Sequence, residues 1–344
     1  MHNSCLKTKA LKFFIGVTFL AILSFASSCR RRPLDIEADS IRIMLDNDYT
    51  MPYRQTKGVP YNYSVMMYGR KDGKLIYKDF CGEKGGPIRG VAGEYKTYVY
   101  DLDNDVTKFE GLDNKKTMRA YTEEESFPVK ATFLSCRYAL SHKVNLDGFK
   151  LVSVKGSAGF EGDLVIKEPN AVFAGINENV NVPNLALSDE EYIIPVSNDY
   201  ALSQGRLTFY GVTHTENIAS VQVYVTNLAR SKYIAEDEPE NEPATIPFYC
   251  DIINEDYIQG VFNYFGKLKD ASLANTAYVI VTDLSGGKYL FVFDVTNQID
   301  EQEDNADVIL KLNFDVPSPQ TGGTGFQPIV DNWDMVWYDV PIGK

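Results

Sequence analysis

From Ile41 to the end of the chain, apolar and polar residues keep exchanging places with a period of two. Ile41, Ile43 and Leu45 enclose Arg42 and Met44, and Val221, Val223 and Val225 alternate with Ser220, Gln222 and Tyr224. The longest run sets Val308, Leu310, Leu312, Phe314 and Val316 against Ile309, Lys311, Asn313 and Asp315. Side chains two apart share one face of a strand, so this rhythm fits a half-buried sheet and fits no helix. The aromatic inventory agrees: 22 Tyr and 19 Phe stand against only 2 Trp. Aromatic and β-branched residues suit pleated, half-buried surfaces.

Turn chemistry divides the rhythm into strands. Tyr61 to Tyr68 and Leu75 to Phe80 flank Lys71-Asp72-Gly73-Lys74. Tyr278 to Thr282 and Tyr289 to Val295 flank Ser285-Gly286-Gly287. Both read as hairpins. Gly93 to Leu102 is a strand running into an acidic loop, and Val336 to Val340 is the last strand. Ala131 to Leu140 fits either a short helix or a buried strand. Val152 to Ile166 is Gly-rich and reads as a hairpin or bulged strand. Asn177 to Asn184, with four Asn, reads as a run-out. The acidic stretches Glu236 to Glu242 and Asp300 to Asp307 read as solvated loops.

The region before the strands has its own logic. Lys7, Lys9 and Lys12 precede an uncharged run from Phe13 to Phe25, and Ala26-Ser27-Ser28 then leads to Cys29. Basic, apolar and small segments in that order make an export signal. The run is shorter than the roughly 20 residues that a spanning helix needs. With the cysteine at its end, the signal is that of a lipoprotein, cleaved so that Cys29 carries lipid; Ala26 stands where the consensus prefers Leu. Ordinary cleavage nearby, leaving Cys29 a plain thiol, is the alternative. The expected plan is a signal peptide over 1–28, a lipidated tether over 29–39, and two β-sandwich domains over 40–187 and 188–344.

The formal charge is -13, and losing the three signal lysines makes the remainder more acidic still. Such a surface repels nucleic acid and anionic headgroups, so membrane attachment falls to the lipid. Cys81, Cys136 and Cys250 are left after the signal and Cys29. A Cys81–Cys136 bridge competes with buried reduced thiols, which free cysteine favours by packing as a small hydrophobe.

Chemistry is hard to find. His142 and His214 are the only histidines after the signal, and no GxSxG elbow, phosphate loop or dinucleotide fingerprint occurs. His214, near Glu216, reads as a turn residue. Gly322-Gly323-Thr324-Gly325 between two prolines reads as a loop. Asp101-Leu102-Asp103-Asn104-Asp105 offers alternate carboxylates for calcium, but Val106 and Leu112 occupy the places where an EF-hand needs Gly and Glu, so a polar hairpin end is the default. No enzyme, metal or cofactor is expected beyond covalent lipid on Cys29. Arg54 lies in a loop between the first two strands, where proteases cut. Asp39-Ser40-Ile41 matches a three-residue O-glycosylation pattern of Bacteroidetes and equally a plain strand start.

Four segments carry a family likeness: Cys29 to Leu34 followed by Ile41 to Leu45; Gly93 to Asp101; Arg206 to Val212; and Phe326 to Trp333. In this order, after the lipid box, they resemble the fimbrillin-associated lipoproteins of Bacteroidetes. The resemblance implies an all-β chain of two tandem Greek-key, transthyretin-like sandwiches. It implies lipid anchoring in the outer membrane, facing the surface, as an anchor or accessory subunit of type V fimbriae. The implied partners are fimbrillin-like stalk subunits, met through β-strand interactions. An anchor is expected to keep its first strand, so Arg54 stays uncut. Met335, Trp337 and Asp339 alternate with Val336, Tyr338 and Val340, which either donate a strand to a neighbour or close their own sandwich. The competing reading is a surface adhesin binding glycan or host protein, with Tyr61, Tyr63, Tyr68 and Trp333 as candidate contacts.

Overall fold

The computed structural model describes residues 41–54, 58–125, 164–184, 191–253, 257–269, 273–300 and 305–316. They are nearly all strand. In chain order these are β1 Ile41–Asn47, β2 Asn62–Gly69, β3 Leu75–Gly82, β4 Gly85–Ile88, β5 Gly93–Asp101, β6 Lys108–Glu110, β7 Arg119–Tyr121, β8 Leu164–Val165, β9 Phe173–Val182 and β10 Tyr192–Tyr200. The second half has β11 Ser203–Thr213, β12 Ile218–Ala229, β13 Ser231–Tyr233, β14 Glu238–Pro239, β15 Pro243–Ile252, β16 Tyr257–Tyr264, β17 Thr276–Asp283, β18 Lys288–Asp294 and β19 Ala306–Asp315. One short helix, α1 Thr296–Asp300, precedes β19. Among the described residues no helix is long and apolar enough to cross a membrane.

The first sheet is a closed barrel in the order β1-β10-β9-β5-β2-β3-β4. Where the sequence suggests a sandwich, β4 links β3 back to β1 and the ladder closes on itself. β1 runs parallel to β10 along its whole length, from Ile41 opposite Tyr192 to Asn47 opposite Asn198. Ile41, Ile43 and Leu45 point inward, with Val65, Val99, Ile194 and Val196 in the same core. Burying each such side chain is worth roughly 1.5–3 kcal/mol. Closure needs glycine at one point. Gly85 has φ 92, and a Cβ there would lie 2.0 Å from the carbonyl oxygen of Ile43.

The second sheet has the order β18-β17-β12-β15-β16-β11-β19, with β8 beside β15. Most of β15 pairs with β12, and only Asp251 and Ile252 pair with β16. The sheet therefore folds over at β15, and one large core fills it. Phe248 and Phe262 stack there at 4.3 Å and 11°. The alternation read over Val308 to Val316 is the inward face of β19, which runs parallel to β11. The Ser285-Gly286-Gly287 turn is fixed by Asp283, whose carboxylate accepts from Ser285 N–H at 2.8 Å, Gly287 N–H at 2.7 Å and Tyr289 O–H at 3.0 Å. Burial pushes this carboxyl up, but those donors outweigh it and hold it below the usual value.

Two expectations change. Asn177 to Asn184 is no run-out: most of it belongs to β9, where Val180 and Val182 are buried and Asn179 and Asn181 face out. Asparagine is rare in strands, yet on the outer face it costs little. Glu236 to Glu242 is largely exposed, as a solvated stretch would be, but it is not loop throughout. It contains β14, in a small sheet of order β14-β13-β7-β6 that joins the two halves of the chain. Arg119 of β7 meets both oxygens of Glu240 at 3.0 Å and also pairs with Glu110. Lys115 Nζ lies 3.0 Å from Glu178 and 3.2 Å from Glu236. Hydrogen bonds from Lys96 and Lys115 hold the Glu178 carboxyl down to about 2. The expected division at residue 187 falls outside the described residues, and the strand beyond it, β10, completes the first barrel. Also outside them lie Cys29, Cys136, Ala131 to Leu140, Gly322 to Gly325, most of Val152 to Ile166, and Met335, Val336, Trp337, Tyr338 and Val340.

Gly85→Ala should destabilise the fold by about 2 kcal/mol or more, since the left-handed φ and the clash with β1 both oppose a Cβ. Urea unfolding monitored by circular dichroism checks this.

Candidate functional site

The sequence suggests that the segment leaving β1 is a protease-accessible loop around Arg54. Pro52 and Arg54 are exposed, and the same segment also makes specific contacts with the second sheet. Asp48 N–H donates to Asn198 O at 2.9 Å, continuing the β1–β10 ladder, and Asp48 then accepts from Thr50 N–H at 2.8 Å. Met51 is buried beside Ala171 and Phe173. Phe173 also meets Tyr49 edge-on, with ring centroids 5.2 Å apart.

Gln204, at the start of β11, receives the backbone of Tyr53 and Arg54. Its side chain is fully buried. Its Oε1 accepts from Tyr53 N–H at 2.9 Å and Arg54 N–H at 3.3 Å. Its Nε2 donates to Asn263 Oδ1 at 3.0 Å and lies 3.9 Å from Met51 Sδ. Asn263, on β16, is itself saturated: Tyr200 O–H donates to its Oδ1 at 2.8 Å, and its Nδ2 donates to Pro169 O at 2.9 Å.

The side chains on either side of this junction are also held. The Arg54 guanidinium donates to Glu168 Oε1 at 3.1 Å and to the carbonyl of Val261. Glu168 accepts in addition from Asn263 N–H at 3.0 Å. Burial pushes the Glu168 carboxyl above its usual range, against the opposing pull of Arg54. The Arg206 guanidinium lies 4.7 Å from the ring centroid of Tyr53, and its Nε donates to Asp307 at 2.9 Å. A cation over an aromatic face adds to the contact.

Gln204, Glu168, Asn263 and Arg206 are not among the site residues that the sequence suggests. The one local hint is a polar Gln in the buried opening of its strand, Ser203 to Gly205. Nothing near it in sequence names its partners, which lie about 60 and 150 residues away.

Other sequence candidates resolve differently. Asp101 is buried and accepts from Phe173 N–H at 2.6 Å, while Asp103 accepts from the amides of Tyr61 and Asn62. These carboxylates serve backbone amides where β5 ends, and the expected hairpin does not form there: β5 pairs with β2 and β9, and β6 with β7. Among the described residues no group of three His, Cys, Asp or Glu could hold a metal ion. Tyr63 and Tyr68 are buried, so of the described aromatic candidates Tyr61 alone is exposed. Cys81 and Cys250 are buried free thiols, and burial pushes the first up to about 12. His214 takes a left-handed turn with φ 55, and its Nδ1 lies 2.5 Å from Asp315 at the end of β19. The hydrogen bond to Asp315 raises the imidazole above 6.5 and lowers the carboxylate.

A group whose folded value is raised lends stability below its unfolded value and loses it as pH climbs through the folded one. The His214–Asp315 contact should therefore be present below about pH 6.5 and fade above it. An NMR titration should place His214 above 6.5, and Asp315→Asn should bring it back.

Comparison with solved structures shows the fold. A candidate adhesin from Bacteroides ovatus matches with a TM-score of 0.53 at 15% identity, over 85% of this chain and 98% of that one. Slighter likenesses include the fimbrial anchor protein Mfa2 from Porphyromonas gingivalis, with a TM-score of 0.44 at 12% identity over 79% and 89% of the chains. A candidate polysaccharide-binding protein from Bacteroides thetaiotaomicron gives 0.45 at 9% over 79% and 90%. Among curated proteins nothing matches. The family described as a domain of unknown function, DUF5119, matches residues 28–249. That is well over half of the sequence, and the chain belongs to the DUF5119 family.

Proposed function

We propose that this protein is a non-enzymatic outer-membrane lipoprotein that anchors or assists a type V fimbria, held by lipid on Cys29 and assembling with fimbrillin-like stalk subunits through β-strand contacts. The observation that carries the reading is the fold shared with a candidate adhesin over 85% of this chain and 98% of that one. The lipid box and the four family-like segments support it from the sequence side. The body is read as two Greek-key units, a barrel and a folded-over sheet.

Strand assembly needs an open edge, which presents unpaired amides and carbonyls to a partner. Among the described residues β18 and β19 stand at the two ends of the second sheet, each hydrogen-bonded on one side. The segment Met335 to Val340 lies beyond β19 in sequence and has the alternation of a donor strand. The adhesin reading rests on the same shared fold, and among the described residues the burial of Tyr63 and Tyr68 does not favour it.

Cys29→Ala should move the protein from the membrane to the soluble fraction and abolish labelling by palmitate. Affinity capture of the wild-type protein from solubilised membranes should bring a fimbrial stalk subunit with it. Persistent lipid labelling of the variant, or capture of no fimbrial subunit, would reject the anchor. Deleting Asp334 to Lys344 should give a folded protein that no longer assembles if this segment donates a strand. An unfolded product assigns it to closing its own sheet.

A further inference from the structure

We propose that the end of the barrel at which β1 begins is a membrane-facing surface whose exposed cations bind the phosphate groups of anionic lipids. The ladder registers gather the elements of this end. Ile41 opens β1 opposite Ile88 of β4 and Tyr192 of β10, and Gly93 opens β5 opposite Val182 at the close of β9. Gly69, which closes β2, pairs with Tyr95, so the β2–β3 turn lies at the same end. Gly90 sits among them: a Cβ there would lie 2.8 Å from Ile41 Cδ1 and 3.9 Å from Met67 Sδ. Tyr200, at the opposite end of the barrel, reaches the second sheet through Asn263.

This end gathers cations in a chain whose formal charge is -13. Arg70, Lys71 and Lys74 surround the β2–β3 turn, and Arg89 adjoins Gly90. Lys116 is brought in by the turn before β7, where Lys115 N–H donates to Gly73 O at 2.9 Å. All five are exposed, and among the described residues Lys71, Lys74, Arg89 and Lys116 make no ion pair. The acids nearby are mostly engaged. Asp72 accepts from Lys74 N–H at 3.2 Å, Glu191 holds Arg42 at 2.7 Å, Glu178 is shared by Lys96 and Lys115, and Glu94 lies 4.0 Å from Arg70. Asp113 is left exposed beside them. The charge of the whole chain repels an anionic surface. That field fades within about 8–10 Å, so the face lying nearest decides the sign of the interaction.

The point at which the chain enters the barrel names the occupant, and here the inference rests on the lipoprotein reading. Eleven residues separate Cys29 from Ile41. A segment of that length reaches at most about 40 Å. Lipid on Cys29 would therefore hold this end of the barrel close to the bilayer and keep headgroups at high local concentration around it. Each Lys or Arg beside an anionic surface then adds to the attraction. Arg30, Arg31 and Arg32 directly follow the lipid cysteine and share that preference, with Asp35, Glu37 and Asp39 nearer to β1 in sequence.

The full lipidated chain is reconstituted on vesicles of phosphatidylcholine alone or with roughly one-third phosphatidylglycerol, and its surface lysines are briefly acetylated and read by mass spectrometry. Lys288, which opens β18 in the second sheet, is the reference. Relative to it, Lys71, Lys74 and Lys116 should react at least roughly threefold more slowly on the anionic vesicles than on the neutral ones, and about 0.5 M sodium chloride should remove the difference. The double variant Arg70→Glu with Arg89→Glu changes two surface side chains. It should abolish the shielding and leave the circular dichroism unchanged. Equal labelling on both vesicles would overturn the proposal, as would shielding that survives salt or the double variant. Shielding that appears only when a fimbrial subunit is added would assign the patch to a protein and overturn it as well. A chain that floats with neither vesicle carries no lipid and removes both readings; one that floats with both and is labelled equally removes this one alone.

Discussion

Gln204 has to satisfy its whole carboxamide where water does not reach, and much of the molecule is arranged around that demand. Burying such a group without partners costs about 1–3 kcal/mol, whereas a saturated one fixes geometry. Its oxygen takes two amides from the segment after β1, and its nitrogen reaches β16 through Asn263. Its own backbone amide donates to Asn305 just before β19 at 2.8 Å. One residue thus ties the barrel's first strand to three strands of the other sheet. Segments about 150 residues apart are fixed together, and the conformational entropy lost is offset by hydrogen bonds that water cannot replace.

The remainder of the junction is made from charge. In a chain with 34 basic and 47 acidic residues, cations are scarce. Several of them stand at the seam, each shared among acids: Arg119 between Glu110 and Glu240, Lys115 between Glu178 and Glu236, Arg230 between Glu124 and Glu242. Isolated exposed pairs contribute little. Here Lys115 is only 12% exposed, and its ammonium also lies 5.8 Å from the Tyr98 ring centroid. The small sheet of β6, β7, β13 and β14 runs through the same place, so main-chain hydrogen bonds hold the charges in register. Barrel and folded sheet are therefore joined by main-chain and side-chain contacts in one place.

The strands themselves are legible in the sequence because burial on one face writes itself into every second residue. β1 and β19 keep that alternation closely, and β12 does so over its first half, while β2 is buried on both faces; both hairpin turns lie where glycine and aspartate indicate. Legibility fails where polar residues carry structure. The asparagines of β9 look like a linker because their outward face is polar, although Val180 and Val182 still mark the inward one. Glu236 and Glu240 look like plain loop acids because their cationic partners Lys115 and Arg119 lie over a hundred residues away in sequence. For the same reason Arg54 looks like an open loop residue: its partners Glu168, Gln204 and Val261 are far along the chain, and no local period encodes a long-range hydrogen bond. Barrel closure is hidden too, since Gly85 shows its purpose only with Ile43 against it.

The placement of β1 bears on how such a fold could join others. An edge strand can be lost or replaced while its neighbour keeps half its hydrogen bonds. β1 has no such freedom, being paired with β10 along its length on one side and with β4 on the other. Removing it would strip partners from two strands at once and expose the core that Ile41, Ile43 and Leu45 fill, so the barrel has no vacancy for a foreign strand. Among the described residues the open ends are β18 and β19 of the second sheet and β6 and β14 of the small one, and these are the edges left for an added strand.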